Sequence, residues 1–158
     1  MALSLETQNL VWQKVKIALD SLGATKAHRD AFRALKEYVQ ATKGNVTLQF
    51  VAMSDVTGDA IIADVACKFY GYFVKKQATA TDAFFKMNDS ATTCGAANGA
   101  SATDCVALVD SGDQASQIYP RGRAQANGLT VASQTNLAGN TDSTSGDGPH
   151  GFIIVGAA

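Results

Sequence analysis

Ala60-Ile-Ile-Ala-Asp-Val-Ala-Cys-Lys-Phe-Tyr-Gly-Tyr-Phe-Val-Lys-Lys76 decides the fold class. Ile62, Val65, Ala66, Phe69 and Phe73 fit a helical stripe. Tyr70-Gly-Tyr-Phe-Val74, however, is rich in strand-favouring aromatic and β-branched residues, and its central glycine weakens a helix. The stretch therefore reads as β structure, either one long strand or two broken ones. Upstream, Val46, Leu48, Phe50 and Ala52 alternate with Thr47, Gln49 and Val51, a half-buried strand ended by the turn Asp55-Val-Thr-Gly-Asp59. Downstream, Gln77–Thr81 is a short polar loop and Ala83–Met87 the returning strand of a hairpin.

Further strands are expected at Cys105–Val109, Gln114–Tyr119, Leu129–Gln134 and Phe152–Val155. Between them, residues 88–104 and Asn136–His150 are rich in small and turn-forming residues and read as loops, the second one exposed. Seven or eight short strands with turn-rich intervals indicate a mainly β chain, an antiparallel β-sandwich or jelly-roll-like domain. Phe152–Ala158 carries no charge and should be buried in the sandwich or at a subunit interface.

Ahead of the β region the apolar period is helical. Val11, Val15, Ala18 and Leu22 form one stripe, widened by Trp12 and Leu19, with Ser4 as N-cap and Gly23 as the stop. Thr25 caps a second helix with the stripe His28, Phe32, Leu35 and Val39, bordered by Ala31 and Tyr38. This hairpin is too short to be stable alone, so its apolar face should lie on the following domain or on a neighbouring subunit. Gly44-Asn45 marks the boundary: residues 1–44 form a helical docking or oligomerisation arm, residues 45–158 the β domain. Charge divides at the same place. Residues 1–44 hold seven Lys/Arg and four Asp/Glu, a net of +3; the remainder hold six and ten, a net of −4.

The whole chain of 158 residues is almost neutral, at −1, and is built from small side chains: Ala, Gly, Ser and Thr supply 27, 14, 10 and 14 residues. Large core residues are scarce, which argues for stabilisation by partners. There is no run of 18 apolar residues and no basic-then-apolar leader, so neither a membrane partner nor an export signal is expected.

The chemical inventory is thin. His28 sits on a helical apolar stripe and reads as a packed side chain. His150 stands near Asp147 and several hydroxyls, but without a nucleophile elbow, so a small hydrolase is set aside and no catalytic residue is assigned. Asn140, Asp142, Gly146 and Asp147, or Asp110 and Asp113, offer oxygen ligands without the spacing of a calcium loop; turn chemistry accounts for them, and no metal is expected. Cys67, Cys94 and Cys105 lack CxxC spacing and read as free thiols, although Cys94 and Cys105 bracket a loop that an oxidising exterior could bridge. No phosphate-binding glycine motif is present, and no cofactor is expected. Arg29, Arg33, Lys36 and Lys43, with Gln40 between, lie along one helix face. With Glu37 placed to pair with Arg33, they read as a solvated face rather than a nucleic-acid site.

One ordered set of segments carries a resemblance. Cys67–Lys75 is followed by Thr81-Asp-Ala-Phe-Phe-Lys-Met-Asn-Asp89, Val106-Ala-Leu-Val109, Ile118-Tyr-Pro-Arg-Gly122, Asn127-Gly-Leu-Thr-Val-Ala-Ser-Gln-Thr135 and a final Gly151-Phe-Ile-Ile-Val155. Over about residues 60–156 this order resembles small β-sandwich virion proteins of tailed bacteriophages, the capsid decoration or cement class. The resemblance implies a non-enzymatic structural protein, made in the host cytoplasm, that sits on the virion surface. Its partners would be the major capsid protein, whose capsomers it bridges, and itself, as a homotrimer. The helical hairpin lies outside the resemblance. The competing expectation is a tail- or fibre-associated host-recognition module that binds glycans, with tyrosines lining a groove. Tyr38, Tyr70, Tyr72, Tyr119 and Trp12 are the available aromatic residues.

Overall fold

The computed structural model describes residues 6–43, 47–77, 82–92, 94, 104–135, 141–143 and 146–158. Two helices, α1 (Gln8–Ser21) and α2 (Lys26–Lys43), precede eight strands: β1 (Leu48–Met53), β2 (Ala60–Ala63), β3 (Cys67–Lys75), β4 (Ala83–Asn88), β5 (Asp104–Leu108), β6 (Gln114–Gln125), β7 (Leu129–Gln134) and β8 (His150–Ala157). Among the described residues no helix is long and apolar enough to cross a membrane.

The chain is mainly β. Its strands form two four-stranded antiparallel sheets, β1-β8-β3-β6 and β2-β7-β4-β5. The pairing is nested: β4 pairs with β5, β3 with β6, β2 with β7 and β1 with β8, as if one long hairpin had been folded across both sheets. The sheets share a core in which Phe69, Tyr72, Val74, Ile153 and Val155 of the first meet Ile62, Phe85, Met87, Leu129 and Val131 of the second.

A second core lies on the other side of the first sheet, giving a third layer. Leu48, Phe50, Tyr70, Phe73, Phe152 and Ile154 meet Val11, Trp12, Val15 and Leu19 of α1 and Phe32, Leu35 and Val39 of α2. The helices thus lie on the β region of their own chain. Phe152 is central, with its ring centroid 5.0 Å from Phe32, 5.1 Å from Phe50 and 5.9 Å from Phe73. Each such aromatic pair is worth about 0.5–1.5 kcal/mol beyond the area it buries.

The helical layer is also held by polar contacts. At the end of α1, Gly23 adopts φ +65° and the Ala24 and Gly23 N–H groups donate to Leu19 (2.9 Å) and Asp20 (3.2 Å), a Schellman stop. The turn is bolted to the sheet. The Gln114 side chain accepts from the Thr25 N–H and donates to the Gly23 carbonyl, both at 2.9 Å, while Lys75 Nζ donates to the Leu22 carbonyl at 2.8 Å. The α1 N-cap is Thr7, through its backbone alone; Ser4, the expected cap, lies outside the described residues. Residues 44–46, the expected boundary, also lie outside them.

The deciding stretch resolves into two strands in different sheets, β2 and β3. In β3, Phe69 faces Arg123 and Gly71 faces Ile118, so Tyr70 alone stands opposite Tyr119–Gly122. Against β8, Phe69 faces Val155 and Gly71 faces Ile154, so Tyr70 is also an extra residue in β3, and this breaks the two-residue period. Phe69 and Tyr72 both enter the inter-sheet core, and Tyr70 and Phe73 both enter the helical one. A three-residue spacing inside a strand mimics a helical stripe.

The expected β3–β4 hairpin is corrected: the two strands lie in different sheets, and β3 pairs with β6 and β8. Strand β6 runs six residues beyond its expected end at Tyr119, because pairing resumes at Arg123 after the bulge. The segment expected to be an exposed loop up to His150 is partly buried. Ser143, Gly148 and Pro149 are enclosed, and His150 begins β8. The reason is Asp55, whose carboxylate accepts the N–H groups of Gly146 (2.8 Å) and Gly148 (2.9 Å) and draws that turn onto the protein.

Candidate binding surfaces

The residues singled out for chemistry are dispersed. His28 Nδ1 is 2.7 Å from Ser116 Oγ, its ring meets Phe73 edge-on at 5.3 Å, and burial holds its pKa below the ordinary histidine value. It joins α2 to β6. His150 Nδ1 lies 3.3 Å from Ser54 Oγ, a hydroxyl that sequence reasoning did not single out, because β1 brings it to the start of β8. Among the described residues no group of three or more His, Cys, Asp or Glu side chains gathers as metal ligands. Asp113 instead closes its own turn, accepting the Val109 and Asp110 N–H groups at 2.9 Å. Asn140 lies outside the described residues.

The three cysteines are free. Burial pushes the Cys67 thiol up to about 11, with the Asp89 charge adding to it, and the Cys94 thiol to about 12, with Asp59 adding to it. Cys94 Sγ donates to the Lys86 carbonyl at 3.2 Å, and Cys105 stands opposite Lys86 across β4–β5.

Two concave surfaces stand out. The first, about 480 Å³, runs between α1 and α2. Trp12, Val15, Leu19 and Phe32 supply apolar lining, and Lys16, Arg29, Arg33 and Lys36 supply four cations with no carboxylate among the lining residues. These cations are not equivalent. Arg29 is structural: it pairs with Asp20 and donates to the carbonyls of Ala24 (2.8 Å) and Leu19 (3.4 Å), closing the end of α1. Arg33 reaches Asp30 at 3.8 Å, in place of the expected Glu37. Lys16 and Lys36 have no ion-pair partner among the described residues. Trp12, which lines the groove, carries a buried indole N–H without an acceptor among the described residues. Of the expected basic stripe, Arg29, Arg33 and Lys36 thus meet Lys16 of α1, while the Lys43 side chain lies outside the described residues.

The second surface, about 470 Å³, wraps the edge of the first sheet where α2 passes β6; Tyr38, Tyr119, Pro120, Arg121, Gly122 and Arg123 line it. Four of the six come from the bulge opposite Tyr70, and Arg123 follows it in β6. Proline lacks an N–H and is tolerated at an edge strand. Gly122 has φ +76°, and a Cβ there would lie 3.0 Å from the Tyr70 ring. Tyr119 is fixed between the Phe69 ring, 5.2 Å away, and the Arg123 guanidinium, 5.6 Å from its centroid. Of the aromatic residues available for a groove, Tyr38 and Tyr119 are brought together here, while Tyr70, Tyr72 and Trp12 are buried. The signal in the sequence was a Tyr-Pro-Arg-Gly run at a strand end; the arrival of Tyr38 beside it depends on how α2 packs.

No known protein family, curated protein or solved structure matches the chain.

Proposed function

We propose that this chain is a capsid decoration protein, a non-enzymatic virion component that binds the outer shell and bridges capsomers, assembling as a homotrimer. One observation carries the reading: the nested pairing β1–β8, β2–β7, β3–β6 and β4–β5 in two facing sheets. We read this connectivity as an eight-stranded jelly roll, an architecture common among viral capsid and lectin domains. The step from architecture to role is an analogy, joined to the ordered resemblance over residues 60–156.

The helical layer supplies a docking face. Lys16 and Lys36 over an apolar groove suit an acidic surface with a protruding apolar side chain, because charge steers the encounter and burial holds the contact. The test is to mix the purified chain with shells assembled without it and to measure its mass by light scattering. A trimer that binds saturably, and that Lys16→Glu with Lys36→Glu releases, is the expected result; a monomer that ignores the shells overturns the reading.

A second reading, a host-recognition module that binds glycans, is favoured by the meeting of Tyr38 and Tyr119 in one cleft. Lectin domains share the same architecture.

A further inference from the structure

We propose that the cleft between α2 and the β6 bulge binds an acidic saccharide, a short glycan carrying a uronate or sialate carboxylate. The inference rests on the glycan-binding reading and narrows its ligand; it is independent of shell coating.

The lining joins two chemistries. Tyr38 and Tyr119, both partly exposed, supply aromatic surface, and the C–H face of a pyranose ring stacks on such surfaces while its hydroxyls stay in water. Arg121 is exposed on the bulge and Arg123 just after it, and neither has a carboxylate partner among the described residues. A guanidinium is a planar fork that can donate two parallel hydrogen bonds to a carboxylate, so the residues lining the cleft carry positive charge suited to a ligand carboxylate. Its volume, about 470 Å³, lies within the range of small-ligand sites, about 300–1,000 Å³.

The site is also built in advance. Phe69 and Arg123 flank Tyr119, and Pro120 with Gly122 sets the backbone of the bulge, so Tyr119 loses little rotamer freedom on binding. Other anions fit less well. A phosphate cradle uses successive backbone N–H groups at a helix N-terminus or nest, and Pro120 removes one from the centre of this bulge. A nucleic-acid strand needs a basic track beyond the cleft, but residues 45–158 carry ten acidic against six basic side chains.

The experiment is calorimetric titration of the full chain with tetragalacturonate and with sialyllactose. Maltotetraose serves as the neutral control, and inorganic phosphate and oligothymidylate as anion controls. At least one acidic saccharide should bind about tenfold or more tightly than maltotetraose, and Arg121→Gln and Arg123→Gln should each weaken it by about tenfold, the scale of one lost charge-assisted contact. Tyr38→Ser should also weaken it, with an unchanged melting temperature in each variant showing that the fold is intact. Equal binding of acidic and neutral sugars overturns this inference but leaves the glycan-binding reading standing; binding of no saccharide removes both. Acidic-sugar binding that survives both arginine substitutions, or that phosphate or oligothymidylate equals, also overturns it.

Discussion

The two sheets bury their outer faces in opposite ways. The first sheet is apolar on both sides: Phe69 and Ile153 face the second sheet, and Phe73 and Phe152 face the helices. The second sheet has an apolar inner face, but its outer side holds Lys86, Thr130 and Gln134, all almost fully buried. These polar groups are satisfied rather than exposed. Lys86 Nζ donates to Gln134 Oε1, and Thr130 Oγ1 donates to the Ser90 carbonyl at 2.8 Å. An alternating apolar and polar strand therefore need not have a wet face. Stability of the first sheet is a matter of packing, and that of the second a matter of hydrogen-bond matching.

Phe152 is the centre of the packed helical face. Phe152→Ala removes the ring shared by Phe32, Phe50 and Phe73, and should cost about 3–5 kcal/mol in urea unfolding. A loss below about 1 kcal/mol would mean that the helical layer is not packed as one core with the sheet. On the second sheet, Gln134→Leu keeps the site filled but takes an acceptor from Lys86. The expected loss is about 1–3 kcal/mol by the same measurement, and a stabilised variant would show that the polar face has no need of matching.

Cys67 in the inter-sheet core and Cys94 over the second sheet sharpen the contrast through pH. Unfolded thiols release protons near pH 8.5–9. The folded ones hold theirs to about 11 and about 12. The folded state therefore binds more protons in that window, and stability should fall as pH rises through it. Both thiols should also react with a disulfide reagent at pH 8 only as fast as the protein opens; rapid labelling of the native chain at either one would contradict its burial.

The smallest effect belongs to His28, on the rim of the helical layer. Burial lowers its folded pKa, so as pH falls through about 6.5 the unfolded chain takes up the proton first. Stability is then lost down to the folded pKa and no further. His28→Gln should flatten this part of the pH–stability curve, and an unchanged slope between pH 7 and 5 would sever the link.

Much of the local structure was legible. Strand β7 has its expected bounds, Leu129–Gln134, and the apolar stripes of both helices are the faces that meet the sheet. Misreadings arose where pairing, and not propensity, sets the conformation. Tyr119-Pro-Arg-Gly122 looks like a strand end because no local cue shows that Arg123 will find Phe69. The buried turn at Gly148 was hidden because its anchor, Asp55, lies ninety-three residues earlier in the chain. The basic stripe on α2 was visible, but its role was not. Arg29 serves the end of α1, whereas Lys36 shares a groove with Lys16, a distinction that depends on the angle of the helix pair.

Alternation, helical period, glycine stops and the charge break at residue 44 are carried by neighbours in the chain, and so the amino-acid order alone determined two helices followed by short strands with a basic front and an acidic remainder. Which strands share a sheet, why a strand can show a three-residue spacing, and how Tyr38 comes to share a cleft with Tyr119 were decided only in the tertiary structure. Those contacts join residues far apart in the chain, and their energy comes from packing and hydrogen bonding that no local window contains.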